Sequence, residues 1–274
     1  MSERGLITST IEKSYILSLL QSGKRLDGRG LDEYRDIKFD LNIVEKAEGS
    51  AMVELGKTKV IAGVKLSLGT PYSDYPNKGT LIVTAELNPT ASPSFKNGPP
   101  TFDAIELTRV TDRLIRESEA IDLEDLCIIE GEKVWTVFLD IYPIDANGNL
   151  FDASALAALA ALSTVQVPET RVNEDGEIEI LETKRPLKMK SIPVAVTTVK
   201  IGDYLLMDPS EKEDDAADAR ITFGFTDDYI VSAQKGGLGT FKSKEIVDIM
   251  EKSLEKAKEI REFLKTELSF NLSP

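Results

Sequence analysis

Residues 151–165, FDASALAALAALSTV, carry alanine or leucine at nine of fifteen positions and contain neither glycine nor proline. Such a run reads as a helix, and its small side chains suit it to lie close against a sheet. The sheet is supplied upstream. DIKFDLNIV, SAMVEL and TKVIAGVKLS, between residues 36 and 67, show β-branched residues and partial alternation bounded by Gly49 and Gly56, and read as consecutive antiparallel strands. GTLIVTAEL at 79–87 is another strand, and KVWTVFLDIYPID at 133–145 is a further one that ends in the turn DANGN. The first half of the chain is therefore predicted to be several strands with a tightly packed helix.

The rest follows the same pattern. Residues 8–22 read as a helix, with Thr8, Ser9 or Thr10 as the cap, Ile11, Tyr15, Ile16 and Leu19 on one face, and Gly23 as the stop. KRLDGRG after it reads as a polar turn. NPTASPSFKNGPPT at 88–101 is a proline-rich loop, and 103–119 is a helix with Asp103 near its start. VPETRVNEDGEIEILETKRPLK at 167–188 is acidic and loop-like and marks the expected boundary. Beyond it come strands IPVAVTTVKI, YLLMD, RITFGFT and YIVSAQ, then an amphipathic helix over about 241–267 with Ile246, Met250, Leu254, Ala257 and Leu264 near one face. The class is α+β, with strands followed by a helix in both halves.

Composition removes most familiar active sites. The chain has no histidine and one cysteine. That leaves no Ser-His-Asp triad, no zinc-binding H-E-x-x-H helix, no tetracysteine site and no internal disulfide. Lysine and arginine number 33 against 47 aspartates and glutamates, a formal charge of −14. An acidic chain repels nucleic acid overall, so contact with RNA or DNA requires a local basic patch or a more basic partner. No apolar run approaches the ~20 residues of a membrane-spanning helix, and the N-terminus lacks a long apolar signal segment, so the cytoplasm is the expected compartment.

Two features could carry chemistry. On the 103–119 helix, Arg109, Arg113 and Arg116 fall within about 60° of one another, with Leu107, Val110, Thr111 and Leu114 on the opposite side. The stripe is either a solvated face paired to Glu106, Asp112 and Glu117, or a phosphate-contacting patch, since guanidinium binds phosphate in a planar fork. The second feature is the acidic stretch Asp208–Asp218 after a strand. It is either a charged turn or a carboxylate site for Mg²⁺, although Glu213 stands where a calcium-binding loop needs glycine. Gly236-Gly237-Leu238-Gly239 reads as a plain hairpin end, Cys127 as a buried inert thiol and Trp135 as core.

RLDGR at 25–29, GSAMVELGKTKVIAGV at 49–64, GTLIVTAELNP, AIELTRVTDRLIRES and KVWTVFLDIYPIDANGN, in this order, resemble the RNase PH family of phosphorolytic exoribonucleases over residues 20–260. The loop NPTASPSF…GPP and the sequence after DIYPIDANGN are most similar to the larger, non-catalytic RNase PH-like subunits of archaeal exosomes. The resemblance implies two β-α modules, each a mixed sheet with helices packed on one side, at 20–168 and 191–267 with a polar linker at 169–190. It also implies an alternating hexameric ring, a trimer of heterodimers with a catalytic RNase PH-like partner, joined by cap subunits with S1/KH-type domains and threaded by single-stranded RNA.

The departures from the family point to silence. Active members place two arginines just before the arginine-bearing helix, and here the place reads Thr101-Phe102-Asp103-Ala104. Their Gly-Gly-Thr-Arg type phosphate loop is replaced by Gly148-Asn149-Leu150-Phe151. Asp214 can match the first of their acids. The position of the second reads Ala219-Arg220-Ile221, unless a gap brings Asp218 there. The expectation is a chain with no catalytic residue and no metal or cofactor of its own. Mg²⁺ and inorganic phosphate would act at the partner's site, and Arg109 and Arg113, with Arg116 a turn further along, would bind RNA. The competing readings are an active phosphate-dependent 3′-to-5′ exoribonuclease and an unrelated Mg²⁺-dependent enzyme built on 208–218.

Overall fold

The computed structural model describes residues 10–173, 176–227 and 229–272. Helix α1 spans Thr10–Gln21 and precedes the first sheet. That sheet contains β1 (Ile37–Leu41), β2 (Gly49–Leu55), β3 (Thr58–Gly69), β4 (Thr80–Ala85), β5 (Cys127–Ile129) and β6 (Lys133–Asp145), in the order β1-β2-β3-β6-β4 with β5 hydrogen-bonded to β6. β1, β2 and β3 pair antiparallel through short connections, and β6, separated from β3 by 63 residues of chain, pairs antiparallel to it. β4 pairs parallel to β6. The connection between these two is long and carries helix α2 (Phe102–Glu117), which gives the chain the crossover that parallel pairing requires.

A second, antiparallel sheet has the order β10-β9-β11-β12, from β9 (Val194–Ile201), β10 (Tyr204–Met207), β11 (Ala219–Phe225) and β12 (Ile230–Gly236). Helix α3 (Leu150–Ser163) lies between the two sheets, packed on β2 and β3 on one side and on β9 on the other. The alanine run explains this: a helix apolar on every face is stable only when covered on every face. Ala157, Ala158, Ala160 and Ala161 are completely buried, and the backbone approach is so close that a Cβ on Gly49 would stand 2.6 Å from the Ala161 carbonyl oxygen. Each of Leu156, Leu159 and Leu162 contributes roughly 1.5–3 kcal/mol of burial. One apolar cluster runs from β2 through α3 to β9, β11 and helix α5 (Ser243–Glu267). β9 is buried on both faces: Thr197 bonds to Asp152 of α3, while Lys200, of opposite parity, pairs with Glu245 of α5.

Several local expectations are corrected. The stretch expected to be a loop-like linker forms a two-stranded sheet of β7 (Gln166–Val172) and β8 (Ile178–Pro186). The acidic stretch is no simple turn: it holds helix α4 (Glu211–Ala216), opened by a Ser210–Glu213 capping box. On α1, Ile16 and Leu20 are buried against Val199 and Leu206, whereas Ile11 and Tyr15 are exposed; the proposed caps Thr8 and Ser9 lie outside the described residues. On α5 the buried line runs Ile249, Ser253, Ala257, Ile260, Leu264, and Ile246 is exposed. Residues 236–239 join β12 to α5 rather than closing a hairpin. Trp135 is core, whereas Cys127 is only half-buried, enough for burial to push its thiol up. No helix among the described residues is long and apolar enough to cross a membrane.

Candidate nucleic-acid interface and a filled anion site

Helix α2 begins at the cap Thr101, whose hydroxyl accepts the Ala104 amide at 3.3 Å. Leu107, Val110, Thr111 and Leu114 are buried, and Arg109, Arg113 and Arg116 stand on the exposed side, as the spacing requires. The three arginines are not equivalent. Arg116 makes a two-point pair with Asp112 at 2.6 and 3.1 Å and donates to the Leu81 carbonyl at 3.0 Å. The hydrogen bonds it donates to Asp112 raise its pKa further. Arg113 has a loose contact with Glu117 at 3.7 Å. The expected Glu106–Arg109 pair does not form, because Glu106 is taken by Arg220 at 2.9 Å and Gln234 at 3.0 Å. Among the described residues, Arg109 has no carboxylate partner.

The N-terminus of α3 is a place suited to an anion, because the amides of a helix's first turn and the positive end of its dipole point there. Here it is already filled. Asn149 caps the helix from the left-handed region at φ 51°, accepts the Asp152 amide, and donates at 2.8 Å to both Asp152 and Asp208. Asp152 also accepts the Tyr34 hydroxyl at 2.7 Å and the Thr197 amide and hydroxyl at 3.0 and 2.7 Å. Burial pushes its pKa to about 6, against the opposing effect of those hydrogen bonds. Gly148 is pressed so closely onto residues 209–211 that a Cβ would stand 2.4 Å from the Ser210 carbonyl carbon. Two carboxylates and an amide therefore occupy the position, and the residues do not fit a phosphate.

In front of this helix end lies a cavity of 640 Å³ lined by Phe95, Phe102, Phe151, Asp103, Asp214 and Asp218, among others. Arg220 stacks on Phe151 with its guanidinium carbon 4.0 Å from the ring centroid and pairs through Nη2 with Glu106 at 2.9 Å, while its buried Nε has no hydrogen-bond partner among the described residues. The cavity walls thus combine acids and aromatics, and the two cations among them, Lys13 and Arg220, are paired with Asp218 and Glu106.

The acidic stretch is likewise committed elsewhere. Asp208 is fully buried and is held by Arg35 at 2.7 and 2.9 Å and Arg29 at 2.9 Å. Burial raises its pKa, but Arg35 and Asn149 outweigh burial and keep the carboxyl below the usual range. Glu213 is gripped by Arg25, and Asp218 takes Lys13 at 2.6 Å and the Gly202 amide at 2.8 Å. Among the described residues no group of three or more acids or cysteines is arranged to hold a metal ion. The RLDGR motif, read from sequence as a polar turn, is the cationic half of this lattice, and Arg35 and Tyr34 belong to it too. The available signal was charge complementarity between two segments about 180 residues apart, which no local pattern reveals.

The fold defines a chain of the RNase PH type. Residues 33–168 match domain 1 of the 3′ exoribonuclease family and residues 191–256 match domain 2, and the chain belongs to that family. It is 46% identical over 265 residues to the exosome complex component Rrp42 of Thermococcus kodakarensis, covering 96% of this chain and 97% of the relative. It is 47% identical over 261 residues to that of Pyrococcus horikoshii, covering 94% and 95%. Among solved structures, a chain of the Archaeoglobus fulgidus exosome with RNA bound to the active site superposes with a TM-score of 0.83 at 46% identity, covering 93% of this chain and 98% of that one. A chain of an archaeal exosome core gives 0.83 at 43% identity, covering 97% and 100%. The α+β RNase PH-like fold and the exosome resemblance expected from sequence are both correct.

Proposed function

We propose that this chain is a non-catalytic ring subunit of an exosome-like complex that degrades RNA phosphorolytically from the 3′ end. Modules 20–168 and 191–267 act as one unit because they share a core around α3. The chain alternates with a catalytic RNase PH-like partner in a hexameric ring, a trimer of heterodimers, in the cytoplasm. Cap subunits with S1/KH-type domains deliver single-stranded RNA, and Mg²⁺ and inorganic phosphate act at the partner's site. Arg109 and Arg113 reach across the interface and grip RNA phosphates, a contact that reads backbone rather than sequence. Arg116, held by Asp112 and Leu81, contributes charge to the same face.

The observation that supports this reading most is the filled N-terminus of α3. Phosphorolysis uses inorganic phosphate as the nucleophile, which must be held in line with the scissile bond by donors. Asn149, Asp152 and Asp208 present a satisfied amide and two carboxylates there instead. Release of nucleoside diphosphate from oligoadenylate tests the proposal, with Mg²⁺ and phosphate present. The expected result is no product from the chain alone and faster degradation by the ring than by the partner alone. Phosphate-dependent product from the chain alone overturns it and returns Asp214 and Asp218 to consideration as catalytic acids.

A further inference from the structure

We propose that Arg220, on β11, is a positioning residue for RNA: by holding Glu106 it keeps Arg109 of α2 free to meet a phosphate. The inference rests on the proposed RNA-binding role of the α2 arginines and explains why one of them stands unneutralised.

Each arginine of the stripe has an acid within about one turn on its own helix. Asp112 holds Arg116 at 2.6 Å, and Glu117 lies 3.7 Å from Arg113. Glu106 stands three residues before Arg109, a spacing that puts the Cβ atoms about 5–6 Å apart and favours a Glu–Arg pair. That pair does not form, and Arg109 has no carboxylate partner among the described residues. Glu106 Oε1 accepts instead from Arg220 Nη2 at 2.9 Å and from the Gln234 side-chain amide at 3.0 Å.

The fold builds a slot for the Arg220 guanidinium. The Phe151 ring of α3 packs against it, with the ring centroid 4.0 Å from the guanidinium carbon. Gly236 is the cross-strand neighbour of Arg220 on β12, and a Cβ there would stand 2.5 Å from Nη2. The missing side chain leaves the room that the guanidinium fills. Gln234, two residues before Gly236, faces the same side of β12 and supplies the second hold on Glu106. The arrangement satisfies Nη2 and leaves Nε buried without a hydrogen-bond partner among the described residues.

This pairing has a consequence for RNA. An unpaired Glu106 would place a negative charge one turn from Arg109. That charge would compete with phosphate for the guanidinium and repel the RNA backbone. Arg220 cancels it from within the fold, where its own guanidinium lines the cavity beside Phe151. On a chain that carries −14, with Arg113 and Arg116 facing acids, the free Arg109 is a large share of the attraction that this face offers.

The test measures the affinity of oligoadenylate for the ring assembled with its RNase PH-type partner, without phosphate so that no degradation occurs. Arg220→Gln is expected to weaken binding about threefold to tenfold. It should also reduce the slope of log affinity against log salt by about 0.7, the value of one single-strand phosphate contact. Adding Glu106→Gln to Arg220→Gln is expected to restore both, a rescue that a merely structural role of Arg220 would not show. In an Arg109→Gln background, Arg220→Gln is expected to cause no further loss. Should Arg220→Gln fail to assemble, Gln234→Glu serves in its place: of nearly the same shape, it competes with Glu106 for Arg220 and should weaken binding in the same sense, again reversed by Glu106→Gln. Wild-type binding by these variants, while Arg109→Gln loses affinity, overturns the inference and leaves the arginine face standing. A loss that persists with Glu106→Gln, or in the Arg109→Gln background, overturns it too. If Arg109→Gln alone leaves affinity unchanged, the RNA-binding reading of Arg109 fails and this inference fails with it.

Discussion

Arg25 and Glu213, 188 residues apart, form a two-point ion pair at 3.0 and 2.6 Å with both side chains fully shielded from solvent. Arg25 also donates to the Met207 and Asp208 carbonyls at 2.8 Å, and Glu213 accepts from the Ser210 amide and hydroxyl at 2.9 Å. The pair fastens the segment before β1 to the start of α4. With Arg29, Arg35 and Asp208 it makes the RLDGR motif a clamp between the two halves of the chain.

Removing one partner of a buried pair strands the other charge without water. Arg25→Ala or Glu213→Ala is therefore expected to cost about 3–5 kcal/mol each. Because each loss includes the stranded partner, the double variant should cost clearly less than the sum. Denaturant unfolding of the three variants measures this; additive losses would show that the pair is not coupled.

Asp152 gives the fold a distinctive pH response. Burial lifts its pKa from 3.8 to about 6 in the folded state. The native state then binds a proton that the unfolded state does not between these values, so its contribution to stability rises as pH falls through about 6 and levels off near 3.8, a gain of about 3 kcal/mol. Asp208 works in the opposite sense: its lowered pKa means that its stabilisation is present above 3.8 and lost as pH falls through its folded value. Over pH 7 to 4, the wild type should gain stability relative to Asp152→Asn. A difference that does not change with pH refutes the assignment.

Gly148 and Gly131 both lie in the left-handed region, at φ 86° and 75°, but only Gly148 meets backbone where a Cβ would go. Gly131→Ala should cost only the left-handed penalty, about 1–2 kcal/mol. Gly148→Ala should cost that and more, because the loop must lift from residues 209–211 and disturb Asn149. Thermal unfolding of the two variants side by side checks the contrast.

Elements with a local signature were legible from sequence. The alanine run of α3, the strands β1, β2, β3, β4 and β6, and the stripe of Arg109, Arg113 and Arg116 opposite Leu107 and Leu114 follow from local pattern alone. Three kinds of feature were not. The β7–β8 hairpin carries acidic residues on exposed strands, so composition resembled a loop. The buried side of α1 is chosen by Val199 and Leu206, far along the chain, and they select Ile16 and Leu20 over Ile11 and Tyr15. The partner of Glu106 is Arg220 on β11 rather than Arg109 one turn away, because tertiary packing brings a cation close to it while Arg109 points outward.

By itself, the sequence determined most of the secondary elements, the absence of histidine chemistry, the arginine face and the family to which the chain belongs. These depend on residue type and on spacing within a few turns. Only the tertiary structure decided that Asp208 and Glu213 are structural anions, and that Asn149 and Asp152 fill the end of α3. Burial and pairing set the charge and availability of a polar group, and both depend on residues brought together from distant parts of the chain.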